Sequence, residues 1–138
     1  MKILALDIGD VWIGTAISDP LGILARPYKT IKSNVFNEAF GEVVLIEHIQ
    51  TVVVGYPKTM HGTESEQTKK TKLFIEQLKE AFPLINFVLW DERLSSKRAD
   101  SLKRGNLDRS EKQASHSRAA AFILSSYLEY QQIHADIK

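Results

Sequence analysis

The first third of the chain carries hydrophobic residues in short runs, which predicts three successive strands. Met1–Asp7 and Trp12–Ser18 are apolar or alternating runs that flank a short glycine-containing turn, as expected of a β-hairpin. A second turn, Pro20–Gly22, precedes a third strand over Ile23–Ile31. Pro27 interrupts this run, so the third strand fits only the edge of a sheet or a bulge.

Beyond residue 34 the apolar period changes, which predicts helices alternating with strands. Asn34 is a suitable N-cap for a helix over Val35–Gln50, where apolar positions recur three and four residues apart. Thr51–Val54 and Asn86–Trp90 are short apolar runs, typical of strands that a sheet buries on both faces.

The remaining segments read as helices. Thr63 and Glu66 form a capping-box pattern at the start of the second helix, which Pro83 ends. Two more helices are predicted over Ser95–Arg104 and Ser110–Gln131. The core-facing stripe of the last helix is expected to contain Ala120, Ile123, Leu124, Tyr127 and Leu128.

The resulting order, β-β-β-α-β-α-β-α-α, predicts an α/β fold with a mixed five-stranded sheet flanked by helices. Three successive strands pair antiparallel, whereas strand–helix–strand units require parallel pairing. No linker, repeat or low-complexity tract divides the 138 residues, and 43% are hydrophobic. We therefore expect residues 1–138 to form one domain with its own core.

The composition and the first residues of the chain bear on its expected location in the cell. No apolar run approaches the roughly 18 residues of a membrane helix, and the first residues lack a signal-peptide pattern. We expect a cytoplasmic protein with no membrane partner. The absence of cysteine excludes disulfides and thiolate metal sites.

The net charge of +1 does not indicate a nucleic-acid-binding protein, but the charges are unevenly distributed. Residues 97–118 contain seven Lys/Arg and three acids. Such a cluster is either a set of solvated helix faces or a surface for phosphates. The candidate contacts within it are Lys97, Arg98, Lys103, Arg104, Arg109 and Lys112.

Three polar residues lie where α/β proteins usually have their functional sites. Asp7 ends the first strand, Glu92 follows the last one, and His116 lies early in the final helix. The carboxyl ends of parallel strands form one edge, so Asp7 and Glu92 meet there if the first strand neighbours the last. Carboxylates suit Mg²⁺ or Mn²⁺, and imidazole suits transition metals better.

Each of these residues also has a structural interpretation. Asp7 would cap the turn at Gly9, Glu92 would form a surface ion pair, and His116 would be a solvated helix residue. Asp91 is expected to bond loop amides. Asp19, directly before Pro20, is expected to be a turn residue.

Four ordered motifs cover nearly the whole chain. They are Asp7-Ile-Gly9 with Ile13-Gly14 and Ala16-Ile-Ser-Asp19; Gly55-Tyr-Pro57 with Met60-His-Gly62-Thr-Glu; Asp91-Glu-Arg-Leu-Ser95; and Ala119-Ala-Ala-Phe-Ile-Leu-Ser-Ser-Tyr-Leu128. In this order and spacing they resemble the YqgF family of Holliday junction resolvases, also described as pre-16S rRNA nucleases. The resemblance implies an RNase H-like fold.

By this resemblance Asp7 and Glu92 are the first and second catalytic acids of a metal-dependent nuclease. The family's third acid, an Asp, falls on His116, and some related resolvases are similar in using a histidine there. The change removes a negative charge, which should weaken Mg²⁺ binding and favour Mn²⁺. A neutral imidazole still ligates a metal or accepts a proton.

A second departure from the family concerns its basic pair, which is replaced here by Val11-Trp12. Trp12 either stacks on a base or packs in the protein. Tyr56, in the Gly-x-Pro loop, either shapes that loop or stacks on a base.

The leading hypothesis is a structure-selective endonuclease in which Asp7, Glu92 and His116 hold Mg²⁺ or Mn²⁺. Its substrate would be branched DNA or precursor rRNA, and the protein would be a monomer or a homodimer. The alternative is a catalytically weakened or inactive nucleic-acid or ribosome-associated binding protein with the same fold. An ATPase of the sugar-kinase or actin type also opens with Asp-x-Gly on a strand, but it needs a second domain for which this chain has no room.

Overall fold

Five strands and three helices are present in the computed structural model, which describes residues 1–56, 66–91 and 109–136. The strands are β1 (Ile3–Ile8), β2 (Trp12–Ser18), β3 (Ala25–Lys32), β4 (Thr51–Tyr56) and β5 (Asn86–Asp91). The helices are α1 (Phe36–Glu47), preceded by a 3-10 turn over Ser33–Val35, α2 (Glu66–Ala81) and α3 (Arg109–Asp136). No helix in these ranges is long and apolar enough to cross a membrane.

The strands form one mixed sheet in the order β3-β2-β1-β4-β5. β1 and β2, like β2 and β3, pair antiparallel, whereas β4 pairs parallel with both β1 and β5. The predicted sheet is therefore confirmed, and Pro27 lies on an edge strand. A register shift interrupts the β2–β3 ladder, where the Thr15 hydroxyl bonds both the N–H and the carbonyl of Lys29 at 2.9 and 2.7 Å.

Successive side chains along each strand point to opposite faces of the sheet, so an apolar layer lies on each face. Leu4 and Leu6 of β1 face α1 and α2, whereas Ala5 faces α3. The α1/α2 layer is built from large side chains, including Leu4, Leu6, Ile13, Ile17, Phe36, Phe40, Val52, Val54, Ile75 and Leu78. The α3 layer sets Ala5, Ala16 and Val53 of the sheet against the predicted stripe Ala120, Ile123, Leu124, Tyr127 and Leu128.

The small residues on the α3 side allow an unusually close approach of helix and sheet. A Cβ placed on Gly14 of β2 would collide with the His116 carbonyl oxygen and would lie 2.7 Å from the Ser117 nitrogen. The backbone of α3 therefore rests on the backbone of β2 at this point, which only glycine permits. The Ser117 and Thr30 hydroxyls, 2.6 Å apart, fasten α3 to β3 beside this contact.

Several sequence predictions need correction at the ends of elements. Asn34 is not the helix cap, because it lies in the 3-10 turn and Val35 precedes α1 without a side-chain cap. α1 ends at Glu47, where His48 adopts the left-handed conformation with φ 57°. β5 is only partly buried, because it is an edge strand. The predicted cap at Thr63 and the helix over Ser95–Arg104 lie outside the described residues.

Replacing Gly14 by alanine should destabilise the fold, because the added methyl meets backbone atoms that cannot rotate away. We expect Gly14→Ala to lower the free energy of unfolding by about 3 kcal/mol, measured by urea denaturation. Gly41→Ala is the matched control, since a Cβ there lies 3.6 Å from the Phe82 ring, an ordinary contact. Because Gly41 lies inside α1, that change should stabilise the protein by up to about 1 kcal/mol. Equal effects of the two changes would contradict the close contact.

Candidate active site

Asp7 lies near the end of β1 and has glycine on both sides in the sheet. Its Cα partners are Gly14 on β2 and Gly55 on β4. Side chains two residues apart on a strand point to the same face of the sheet. The carboxylate of Asp7 therefore lies on the α3 face, as Ala5 does. Because neither partner has a side chain, Asp7 provides the only side chain in these three register positions.

His116, two turns into α3, is the residue that faces Asp7. Its Nδ1 lies 3.6 Å from the Asp7 Oδ2, and the side chains are 28% and 16% exposed. That distance is too long for a hydrogen bond. His116 Nδ1 is buried and has no hydrogen-bond partner among the described residues. A buried nitrogen without a partner is uncommon in a folded protein, which makes His116 Nδ1 a candidate ligand atom.

The geometry of the pair is close to that of two ligands sharing a metal ion. Two ligand atoms that each lie about 2.1 Å from one ion are roughly 3.0 to 3.4 Å apart at octahedral or tetrahedral angles. The observed separation of 3.6 Å lies slightly above that range. A carboxylate oxygen with one imidazole nitrogen suits Mn²⁺ and related ions better than Mg²⁺. Within the described part of the chain, no group of three or more His, Asp or Glu side chains is placed to hold a metal.

The position of α3 over the site is fixed at both edges of the sheet. On the β3 side, Thr30 pairs with Gly14, which in turn pairs with Asp7, so these three residues form one row across the sheet. The Ser117–Thr30 hydrogen bond lies in this row. On the β5 side, the Trp90 indole N–H donates to the Ser126 hydroxyl at 2.7 Å. His116 is therefore carried by a helix anchored to β3 and β5, which favours one fixed orientation toward Asp7.

The first strand does not adjoin the last, as the expected meeting of Asp7 and Glu92 assumed, because β4 lies between β1 and β5. Glu92 itself lies outside the described residues. In the register of the sheet, Asp7 aligns with Gly55 and Gly55 with Trp90. At strand spacings of about 4.8 Å, the backbones of Asp7 and Trp90 are roughly 10 Å apart.

Most of the predicted nucleic-acid contacts lie outside the described residues, as Glu92 does. These are Lys97, Arg98, Lys103 and Arg104. Arg109 and Lys112 belong to the first turn of α3, but their side chains are not among those described.

The two aromatic candidates lie on different faces of the sheet. Tyr56 is on the same face of β4 as Val52 and Val54. It therefore lies on the α1/α2 side of the sheet, away from Asp7. Trp12 begins β2 with the parity of Gly14, on the α3 side. Only Trp12 therefore shares a face with Asp7 and His116.

Asp19 is a turn residue, as expected. Its Oδ1 accepts the N–H groups of Ile23 and Leu24 at 2.7 and 3.1 Å. These bonds to the ionised form lower the pKa of the Asp19 carboxyl below its ordinary value. The side chain thus stabilises the β2–β3 connection, at the opposite end of β2 from the Asp7 row.

Comparison with known families identifies the chain. A family model described as "RuvX: Holliday junction resolvase" matches residues 1–130. The chain belongs to the RuvX family. RuvX and YqgF are names of the same family, so the resemblance seen in the four motifs is confirmed.

Named relatives in this family share a third or more of their residues with the chain. A protein of Thermoanaerobacter pseudethanolicus is 38% identical over 96% of this chain and 99% of its own length. Proteins of Staphylococcus aureus and Rubrobacter xylanophilus are 37% and 34% identical, each over 93% of this chain and 95% and 92% of their own. All three carry the name "Putative pre-16S rRNA nuclease".

Solved structures confirm the RNase H-like fold. Thermus thermophilus RuvC, solved in complex with a Holliday junction substrate, superposes with a TM-score of 0.60 at 14% identity over 96% of both chains. The Fowlpox virus resolvase, solved with Holliday junction DNA, gives a TM-score of 0.51 at 12% identity over the whole of both chains. At these identities the likeness concerns the fold alone.

Two residues that shape the site were not recognised from the sequence as part of it. Gly14 lies inside the predicted strand Trp12–Ser18, and the structure shows that its missing side chain admits α3. An isolated glycine within a strand pattern is a known signal of close backbone approach and would have identified it. Thr30, which anchors α3 through Ser117, had no such signal, because threonine is common in strands.

Removing the Asp7 charge should stabilise this RuvX protein when metal is absent. The Asp7 side chain is only 16% exposed, and the His116 Nδ1, 3.6 Å from its Oδ2, is too far away for a hydrogen bond. In EDTA we expect Asp7→Asn to raise the melting temperature by about 3 °C. Asp10→Asn is the control, since Asp10 is exposed and lies 4.0 Å from Lys70. That change should shift the melting temperature by less than about 1 °C. A lower melting temperature for Asp7→Asn would show that the charge is compensated.

Proposed function

We propose that this RuvX protein is a metal-dependent endonuclease that hydrolyses phosphodiesters in structured nucleic acid. The observation that carries the proposal is the pair of Asp7 and His116, with a buried, partnerless Nδ1 3.6 Å from a carboxylate oxygen. A folded protein keeps such an arrangement when a ligand completes it. Family membership supports hydrolysis of nucleic acid as the reaction.

Asp7, Glu92 and His116 would together hold Mg²⁺ or Mn²⁺. Asp91, the last residue of β5, lies at the same edge of the sheet as Asp7, and Glu92 is the next residue in the sequence. The bound ion would supply a water nucleophile of lowered pKa and stabilise charge on the leaving oxygen. Asp7 and His116 would orient that centre, and the helix contact at Gly14 would keep His116 in place.

The proposed substrates are branched DNA and the 5′ region of precursor 16S rRNA. The relatives named above carry the rRNA activity in their names, whereas the family description names the Holliday junction. The candidate phosphate contacts are Lys97, Arg98, Lys103, Arg104, Arg109 and Lys112. Contacts of this kind position a backbone without reading its sequence, so binding should weaken steeply with salt.

We further propose that residues 1–138 act as one domain in the cytoplasm. Resolution of a four-way junction requires two symmetric cuts, which a homodimer supplies. Processing of one rRNA strand requires a single site, which a monomer supplies. The oligomeric state on each substrate therefore distinguishes the two activities.

Loss of the Asp7 charge should abolish cleavage but not binding. We expect Asp7→Asn to lower the rate of cleavage by roughly 10³-fold, because the central ligand charge is lost. Cleavage is measured on four-way DNA junctions and on 5′-extended 16S rRNA precursors, with Mg²⁺ and Mn²⁺ in parallel. Binding of the same substrates is measured in EDTA and should change less than about threefold.

Asp10→Asn serves as the matched control for this assay as well, since it removes an exposed carboxylate from the neighbouring turn. It should leave cleavage unchanged. Unaltered cleavage by Asp7→Asn would refute the proposed centre, and failure of the wild type to bind nucleic acid at low salt would refute the proposed function.

His116 should make the enzyme prefer Mn²⁺, and a carboxylate at this position should restore use of Mg²⁺. We expect His116→Asp to raise the ratio of Mg²⁺- to Mn²⁺-supported cleavage by about tenfold, because carboxylate oxygen suits Mg²⁺ better than imidazole nitrogen. His116→Asn, which has neither charge nor imidazole, is the control and should lower cleavage with both ions. An unchanged ratio would place His116 outside the metal centre.

The alternative function is nucleic-acid or ribosome binding without efficient cleavage. It is favoured by His116, which stands where the resemblance to the family implies a third carboxylate. Under this alternative Asp7→Asn has no effect on function, and neither Mg²⁺ nor Mn²⁺ changes the melting temperature of the wild type.

A further inference from the structure

Trp12 belongs to neither apolar core cluster of the described residues. It is half-buried at the start of β2. Trp90 shows the contrast: it packs in the α3 layer, donates its indole N–H to Ser126 and contacts the Tyr127 ring edge-on at 5.5 Å. A large aromatic ring at the surface without a packing role is available for a ligand.

Lys32, the last residue of β3, lies beside this ring. The two residues are Cα partners across the β2–β3 ladder, and the Lys32 Nζ lies 5.5 Å from the centre of the Trp12 ring. Among the described residues, no carboxylate lies within ion-pair distance of Lys32, which is exposed. The pair thus combines an aromatic face with an unneutralised cation.

This pair is adjacent to the candidate active site on the same face of the sheet. Gly14, which pairs with Asp7, lies two residues after Trp12 on β2. Thr30, whose hydroxyl meets Ser117 of α3, lies two residues before Lys32 on β3. Two residues of strand span roughly 7 Å, so Trp12 and Lys32 occupy the row next to that of Asp7.

The backbone holds the pair in position. Ser33, which follows Lys32, donates its N–H to the Val11 carbonyl at 2.8 Å. Its hydroxyl donates to the Asp10 carbonyl at 3.1 Å. The turn that presents Trp12 is therefore tied to the end of the strand that presents Lys32, which lowers the entropy lost when a ligand binds both.

The third strand is basic. Between Asp19 and Glu38 the sequence has no acidic residue and three basic ones, Arg26, Lys29 and Lys32, all on β3. Of these three, Lys32 lies beside Trp12, and its charge suits a polyanion that must approach the neighbouring carboxylate of Asp7.

We propose that Trp12 and Lys32 form a subsite for the nucleotide next to the scissile phosphate. The base of this nucleotide stacks on the Trp12 ring, and its phosphate contacts the Lys32 ammonium. The contact between Lys32 and Trp12 is weak at an exposed site and is exchanged for the nucleotide on binding. This inference rests on the proposed nuclease function and adds the residues that position its substrate.

The subsite also explains how the chain tolerates Val11-Trp12 where its family resemblance implies a basic pair. Lys32 supplies a cation to this position from the neighbouring strand, through its pairing with Trp12. An unpaired base is required for stacking, so the subsite favours single-stranded or opened nucleotides over continuous duplex.

Binding to fluorescein-labelled four-way junctions and rRNA precursors, measured by anisotropy in EDTA, tests the subsite. We expect Trp12→Ala to raise Kd about tenfold and Trp12→Phe to raise it less than threefold, because phenylalanine retains a stacking face. Lys32→Gln should raise Kd and lower the slope of log Kd against log salt by about one. Trp12→Ala should leave that slope unchanged, which separates the stacking role from the charge.

Lys29→Gln is the matched control for Lys32→Gln. It removes the same charge from the same strand, but the Lys29 Nζ lies 5.2 Å from the Tyr28 ring, and Tyr28 packs on the α1/α2 layer. It should leave Kd and the salt slope unchanged. Melting temperatures of all variants exclude misfolding as the cause of an effect.

A second measurement uses oligodeoxythymidylate as the probe and tryptophan fluorescence as the readout. Stacking should quench the wild-type emission, and the quenching should vanish in Trp12→Phe, where only Trp90 emits. If the wild type binds and cleaves but Trp12→Ala and Lys32→Gln bind normally, the subsite is refuted while the nuclease function stands. If the wild type neither binds nor cleaves, the nuclease function itself fails.

Discussion

The close contact between α3 and β2 at Gly14 is the constraint on which the site depends. The sheet presents large side chains to α1 and α2 but only small ones, such as Ala5 and Ala16, to α3. A helix can then rest on the strand backbone at Gly14, with the His116 carbonyl in the space of the missing Cβ. This contact sets the height of α3 above the sheet and hence the distance between His116 and Asp7.

The site is held in a rigid frame. Asp7 Oδ2 and His116 Nδ1 are 3.6 Å apart, and this nitrogen is buried with no hydrogen-bond partner among the described residues. Around them, the apolar core residues of β1, β2 and β4 are almost fully buried, and the Ser117–Thr30 and Trp90–Ser126 bonds fix α3. A protein retains such local frustration where a ligand relieves it, which is the usual relation between stability and activity.

Most secondary structure could be predicted from local pattern, and the errors have physical causes. The stripe on α3 from Ala120 to Leu128 follows from helical spacing, and all five of its residues are buried. The cap at Asn34 was wrong because a 3-10 turn takes up that residue and α1 begins later. β5 looked like a central strand because its residues are apolar, but an edge position leaves it partly exposed.

The sequence by itself determined most of the elements, the family and the candidate residues for the chemistry, because periodicity and motif spacing are local properties of the chain. The tertiary structure alone decided which of those residues meet. The insertion of β4 between β1 and β5 separates Asp7 from Trp90 by two strand spacings, whereas Gly14 brings His116, more than a hundred residues away in sequence, to 3.6 Å from Asp7. The pairing of Trp12 with Lys32 likewise depends on register between strands. Strand order, register and helix height arise from packing between distant segments, so no local pattern encodes them.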